Sequence, residues 1–504
     1  VTLSILIFLP LVSGLIASLL PGKLGRWMVV LGTFAVLAFA IALIADYPSG
    51  GGDLKWAVNE VWIKELGIHY SLGVDGLNLF LIALTAALWV PATLAAAFRD
   101  WDSPRLFFFN MALAQTAVLG AFVAQDVALF VFFFDLMLVP FYFLIGAWGG
   151  RGRVQATTKF VIFTLVGSLL MLAAAVALGV LSTPEGGQIS FNIADIAKHP
   201  LSEGSQEWIF LLFALAFLVK MPAFPLHGWM PDAYRATPIP VLILLSAVLS
   251  KVGAYGFLRI VLPLMPDASH TFQELMIVIA VVSILYGSVL AFAQDDARLV
   301  VGYSSIAQLG FITLGIFSLD PKGAQGAVFQ MVNHGIVVAG LFLIIGALSL
   351  RAGGSDLLSR MGGVAFRAPV LAALFLVVAL ATLAMPGSAN FVGELYILFG
   401  IFDEKLAYGI VASVGVALAA VYMIRAYQRS MHGRLGAGVE SRDLDRRELG
   451  LLAPLVVVIV ALGLYPQFVL KRTEKATVSK IEAVQGAVAE RRAHDVAARR
   501  EKTP

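Results

Sequence analysis

The chain is partitioned, almost from end to end, into apolar stretches about as long as a bilayer is thick, each closed by a short polar loop. In hydrocarbon every backbone N–H and C=O must find its partner within the protein, so stretches of this kind become helices. Spans are expected near residues 3–20, 27–46, 77–98, 106–123, 127–148, 157–182 and 208–226. The second half adds 238–262, 273–293, 299–318, 324–350, 368–402, 407–428 and 449–470. The expected fold class is an all-α membrane protein of about fourteen transmembrane helices. Composition agrees, with 60% hydrophobic and 13% charged residues against near half and a quarter in soluble domains. The first run, from Leu3 to Leu20, lacks a basic flank and a small-residue cleavage site, so it reads as a span and not as a signal peptide.

Several chemistries are excluded early. There is no cysteine, hence no disulfide and no thiolate-held iron–sulfur or zinc site. The seven histidines form no HxxxH or HExxH pair, and no glycine-rich phosphate-binding loop follows a strand-like run. No cofactor or metal is expected in this chain, and no nucleic-acid partner. Any redox cofactor belongs to partner proteins.

Orientation follows from basic residues in alternate loops. The odd-numbered loops carry Lys23 and Arg26, Arg99 and Arg105, Arg151 and Arg153, Arg351, Arg360 and Arg367, and a cluster from Arg425 to Arg447. They hold roughly 18 basic residues against about 5 in the even loops, which puts the odd side in the cytoplasm and both termini outside. The polar tail at 471–504 is also basic, through Lys471, Arg472, Lys475, Arg491, Arg492, Arg499 and Arg500, and runs against that assignment.

Four ionisable residues stand where charge is expensive: Asp135, Lys220, Lys251 and Glu394, each between apolar neighbours inside an expected span. A single lysine near a helix end would simply snorkel to the interface, and a single pair would serve packing. Four such groups in one bundle favour function. Withdrawal from water disfavours the charged form of any such group, which lets it load and release a proton near neutral pH. Sequence alone does not say whether Asp135 faces Lys220. His227 and His334 extend the polar line: each is read either as a packing residue or as a proton relay. Ser304, Ser305 and Gln308 add polar groups to the tenth span.

Two of these charges adjoin breaks. Pro222 follows Lys220, and Met385-Pro386-Gly387-Ser388-Ala389-Asn390 precedes Glu394. Proline removes a helical hydrogen bond and disfavours helix at the residue before it. Interrupted helices in corresponding positions point to inverted repeats with the working site at their interface.

Phe132-Phe133-Phe134-Asp135-Leu136, Lys220-Met221-Pro222-Ala223-Phe224-Pro225-Leu226-His227-Gly228-Trp229, Ser250-Lys251-Val252-Gly253, Tyr303-Ser304-Ser305-Ile306-Ala307-Gln308 and Pro386-Gly387-Ser388-Ala389-Asn390-Phe391-Val392-Gly393-Glu394 occur in an order and spacing that resembles the antiporter-like membrane subunits of respiratory complex I, the proton-pumping NADH:quinone oxidoreductase. The resemblance runs from about Leu72 to Phe402. Gly73-Val74-Asp75-Gly76-Leu77-Asn78 and the glutamate of the twelfth span make it most similar to the NuoM-type branch.

The resemblance implies two inverted five-helix repeats, each containing a broken helix. Residues 1–105 would hold the first three helices, 106–262 and 273–428 the two repeats, 449–470 the last helix and 471–504 the tail. It implies proton transfer through Asp135 and Lys220 as a coupled pair, Lys251 as central relay, Glu394 as the exchanging carboxylate, and His227 and His334 as bridges. Partner subunits would carry flavin mononucleotide (FMN), iron–sulfur clusters and quinone, with neighbouring membrane subunits, a peripheral redox arm and the bilayer as partners. The implied location is an energy-converting inner membrane. Two positions depart from the family: aspartate stands at 135 where glutamate is usual, and glutamine at 308 where histidine is common. A subunit of a multisubunit sodium/proton antiporter is the alternative of the same fold.

Overall fold

The computed structural model describes residues 1–501, with side chains described through residue 490. Among them twelve helices are long and apolar enough to cross a membrane. They are α1 (Thr2–Leu19), α2 (Gly22–Asp46), α3 (Leu79–Ala97), α4 (Pro104–Val123), α5 (Val127–Gly146), α6 (Arg153–Leu181), α8 (Ile239–Leu264), α9 (Gln273–Ala293), α10 (Ala297–Phe317), α11 (Pro321–Arg351), α14 (Leu406–Met431) and α15 (Arg446–Leu464). Three further helices complete the bundle: α7 (Glu203–Lys220) and the shorter pair α12 (Pro369–Thr382) and α13 (Ala389–Glu404). The chain is a multi-pass, mostly helical membrane protein. Burial divides the helices into two kinds. Helices α8, α10 and α11 are enclosed nearly all round, whereas α1, α2, α6, α14 and α15 turn large apolar side chains outward, as lipid-facing helices do.

Both expected breaks are present, and the freed backbone groups are satisfied locally. Helix α7 stops at Lys220; past Pro222, Ala223 N donates to Leu218 O at 3.0 Å, and the indole of Trp229 donates to Val219 O at 3.0 Å. The span therefore ends six residues before the expected Leu226, and a short helix, Met230–Ala236, leads to α8. The twelfth span divides into α12 and α13. Met385 N closes back on Leu380 O at 3.0 Å, Gly387 takes φ +95°, and the Ser388 hydroxyl caps α13 by accepting from Phe391 N.

The expected all-α class is corrected by a hairpin in the loop after α2. Strands β1 (Lys55–Ile63) and β2 (Ile68–Val74) pair antiparallel, turning at Gly67 with φ +65°. Hydropathy registers only long apolar runs, and this segment is short and half-exposed. Its polar/apolar alternation (Trp56, Val58) and the Gly67 turn were the available signals. The hairpin is tied to the start of α5. His69 N donates to the Asp126 carboxylate at 3.1 Å, and the same carboxylate caps α5 by accepting from Leu129 N at 3.0 Å. Gln125 N donates to Ser71 O at 2.8 Å.

The tail is a continuous helix, α16 (Gln467–Glu501). One face, including Thr473, Thr477, Ile481 and Val484, is buried against the bundle. Gln325 of α11 donates to Leu470 O and Gln485 to Leu319 O, both at 3.0 Å. The basic tail residues Arg491, Arg492, Arg499 and Arg500 lie outside the described side chains.

Candidate functional site

Polar groups run through the interior of the bundle in four stations. At the first, Lys220 is the last residue of α7 and is buried; its ammonium stands 4.4 Å over the ring of Phe134 and has no hydrogen-bond partner. Asp135 of α5 is half-buried, close enough for each group to feel the other's charge, with Ser168 of α6 beside its carboxyl. No ion pair joins them: Oδ1 of Asp135 and Nζ of Lys220 are both unpartnered. An aromatic face attracts a cation, so the ring supplies Lys220 with a resting place apart from the carboxylate.

The second station is Lys251 of α8. Residues Leu245–Leu249 and Phe257–Val261, on either side of it, wind as π-helix, a loosening of the helix that recurs at functional sites. The ammonium, with 0% exposure, donates to Ser246 O at 3.1 Å and to the Ser250 hydroxyl at 3.2 Å. It also lies 2.9 Å from His334 Nδ1 on α11. With the amine protonated, Nδ1 is the acceptor in this contact and the ring proton is on Nε2. That Nε2 has no partner.

Beyond His334 the third station is a set of amides. Asn333 donates to Ala389 O at 3.0 Å, and both polar atoms of the Asn390 side chain are unpartnered. Gln330 donates to Gln308 Oε1 at 2.7 Å, and Gln308 in turn donates to Glu394 Oε1 at 2.8 Å. The fourth station is Glu394 itself, fully enclosed, with Oε2 unpartnered and Tyr422 nearby. Close helix contact places it there. A Cβ on Gly393 would fall 2.3 Å from Gln330 Oε1, and one on Gly326 would fall 2.7 Å from Ile397 N, so glycine lets α11 and α13 touch.

The structure thus joins Lys251 to His334 and Glu394 to Gln308, and places Asp135 beside Lys220 without bonding them. His227 does not join the line directly: its Nε2 lies 3.1 Å from the Tyr286 hydroxyl, its ring stacks on Phe224, and Nδ1 is unpartnered. Ser304 and Ser305 both bond back to Val301 O at 2.9 Å. Sequence reading missed Gln330, Asn390 and Tyr422, which carry no charge and so raise no alarm in an apolar run. It also missed Arg259, which the same rule that found Lys251 would have flagged in Gly256-Phe257-Leu258-Arg259-Ile260-Val261. Arg259 forms a buried bidentate pair with Asp75, at 2.6 and 2.8 Å, and its Nε donates to the Tyr255 hydroxyl at 2.9 Å, which in turn donates to Phe122 O. Burial works against the Asp75 charge, but this guanidinium outweighs it and holds the carboxyl below its ordinary value.

Comparison with known proteins places this arrangement. Residues 124–419 match the family described as NADH:quinone oxidoreductase/Mrp antiporter, TM. The chain is 38% identical over 482 residues to NADH-quinone oxidoreductase subunit M of Pseudomonas aeruginosa, covering 92% of this chain and 94% of that protein. It is 37% identical over 468 residues to subunit M of Escherichia coli, covering 90% and 92%. Its fold matches a chain of respiratory complex I from Thermus thermophilus with a TM-score of 0.88 at 32% identity, covering 96% of this chain and all of that one. A chain of the Mrp complex from Dietzia shares the fold at a TM-score of 0.81 and 23% identity.

Proposed function

The chain belongs to the NADH:quinone oxidoreductase/Mrp antiporter membrane-subunit family, and from that premise we propose that it carries protons through its four polar stations as a membrane subunit of NADH-quinone oxidoreductase. It is one part of a multi-subunit enzyme that translocates protons, and it works among other membrane subunits and a peripheral arm. The chemistry of NADH oxidation and quinone reduction lies in those partners, which carry FMN, iron–sulfur clusters and quinone. Among the described residues of this chain no cluster could hold a metal ion.

The observation that carries the mechanism is the unpartnered Lys220 beside Asp135. When the carboxylate approaches, the charged lysine is held; when it withdraws, the ammonium is left on Phe134 in a desolvated setting and gives up its proton. Lys251 passes its own proton to His334 Nδ1 while Nε2 releases one, and the neutral amine so formed is reloaded with the proton from Lys220. Between Nε2 and Glu394 stand Asn390 and the Gln330–Gln308 amides, which cannot titrate but can orient water. Glu394 then exchanges the proton with the far side. His227, bonded to Tyr286, serves the approach to Lys220.

Counting α7 as one span and α12 with α13 as another gives fourteen crossings, and the two breaks, each next to a charge, support inverted repeats at 106–262 and 273–428. Residues 1–105 supply three further helices and 449–470 the last. The excess of basic residues in the odd-numbered loops supports the odd side as cytoplasmic, in an energy-converting inner membrane. A sodium/proton antiporter subunit would use the same fold. The near full-length relatives of 34–38% identity, all named as oxidoreductase subunits, favour the redox-driven reading.

The test is purification of the tagged chain in mild detergent, with NADH:quinone activity and NADH-driven acidification followed in reconstituted vesicles. Co-purifying flavin and iron–sulfur subunits, with acidification lost in Lys251→Met, support the proposal. A cofactor-free assembly, or full acidification in that variant, would overturn it.

A further inference from the structure

At the basic end of the bundle the last turn of α3, the start of α8, the end of α11 and the start of α15 leave a cavity of about 310 Å³. It is two-faced. The inner wall is apolar, through Ile239, Leu343, Leu350 and Leu451, and the outer rim carries Arg99, Arg442 and Arg447. The rim sits at one level: Arg99 is the second residue past α3, Arg447 the second of α15, and the buried Arg351 the last of α11. That level is where the membrane-crossing helices end.

The carboxylates at the rim are already engaged. Asp445 caps α15 by accepting from Arg447 N and Glu448 N, both at 2.8 Å. Glu448 holds Arg351 through two bonds of 2.9 and 2.8 Å. The arginines are not so engaged. Arg99 and Arg447 make no ion pair among the described residues, and Arg442 has only a long 3.7 Å contact with Glu440. Arg447 is held over the Phe98 ring at 5.1 Å. Arg99 is exposed, and its nearest strong electrostatic neighbour is a second cation, the Arg298 guanidinium.

We propose that this cavity seats one anionic phospholipid, with Arg99, Arg442 and Arg447 around the phosphate and an acyl chain along Leu343, Leu350 and Leu451. Two features select this occupant. A soluble anion would have no use for the apolar wall, and an apolar helix of a neighbour would leave three arginines desolvated without counter-charge. An anionic lipid meets both, and basic pockets between helices at this depth recognise such headgroups.

The probe is phosphatidylglycerol carrying a diazirine on one acyl chain, present at low mole fraction in phosphatidylcholine nanodiscs around the purified whole complex. Photolysis should label peptides containing Leu343, Leu350 or Leu451. Unlabelled phosphatidylglycerol should compete, while phosphatidylcholine and inorganic phosphate should not. Arg99→Gln with Arg447→Gln should lower labelling about fivefold for each guanidinium removed, and Arg447→Lys should retain most of it. Complex content and NADH:quinone activity, measured on the same preparations, show that the variants are assembled. Equal competition by phosphatidylcholine would mean a plain apolar slot, and competition by phosphate would mean a free-anion site. Labelling that survives the double charge removal, or is absent from the assembled complex, would place another occupant there. Each of these results overturns the proposal.

Discussion

Lys251 and His334, on different helices, share a 2.9 Å contact in which the lysine also holds Ser246 O and Ser250, while the outer nitrogen of the histidine has no partner. A donor bonded on one side and an open nitrogen on the other is the arrangement a relay requires. His334→Gln keeps polarity and bulk but cannot take a proton at one atom while releasing it at another. NADH-driven acidification in vesicles should fall at least about tenfold, the scale set by losing one charged hydrogen bond, with the complex assembled. Normal acidification would remove His334 from the path.

Lys220→Ala should abolish or strongly reduce pumping without harming assembly. Its ammonium is buried without a hydrogen-bond partner, so removing it relieves a desolvated charge. Asp135→Asn should be damaging and Asp135→Glu tolerated, since the longer side chain reaches further toward Lys220. Pumping by the asparagine variant at the native rate would show that the carboxylate does not govern the lysine.

Gln308→Ala strips Glu394 Oε1 of its donor and leaves Gln330 without an acceptor. An unmade buried hydrogen bond costs about 1–3 kcal/mol. The expected result is a lower rate, with Gln308→His restoring most of it because an imidazole can also donate to the carboxylate. If alanine is silent and Glu394→Gln is not, the amide pair is packing alone.

Lys480 of α16 provides a pH-dependent test outside the spans. Burial first, then repulsion from Arg259, lower its pKa to about 8, partly offset by Asp75. A lysine whose folded value lies below its free value of 10.5 makes docking less favourable while it is charged. That cost should disappear as pH rises from the folded value toward the free one. Protease nicking of α16 in purified complex should therefore be flat below about pH 8 and decrease from there toward about pH 10, and Lys480→Met should remove that decrease. A native profile in the variant would move the effect elsewhere.

The spans, both breaks and the buried charges were legible because hydrocarbon penalises what they contain. Asp135, Lys220, Lys251 and Glu394 stand out against apolar neighbours, and Pro222 and Pro386 remove a hydrogen bond wherever they fall. What joins the charges was not legible. Gln330 and Asn390 are ordinary side chains in sequence, and only the contact of α11 with α13 across Gly326 and Gly393 turns them toward Glu394. Nor does any spacing rule encode that Lys220 stands 4.4 Å over the Phe134 ring while its ammonium and Oδ1 of Asp135 both go without partners.

The bond from His69 to Asp126 has a mechanical meaning. One carboxylate fixes the hairpin with one oxygen and the first turn of α5 with the other, so that end of the helix is anchored to structure outside the bundle. The far end is held too, through Gly150 N donating to Ala236 O at 2.7 Å, and the helix is interrupted at Met137 between the two anchors. Asp135 lies about two and a half turns along α5 from that anchor, short of the interruption at Met137. The hairpin is in that sense an abutment: under the proposed mechanism, any travel of Asp135 relative to Lys220 would be limited by where α5 is held as well as by what it touches.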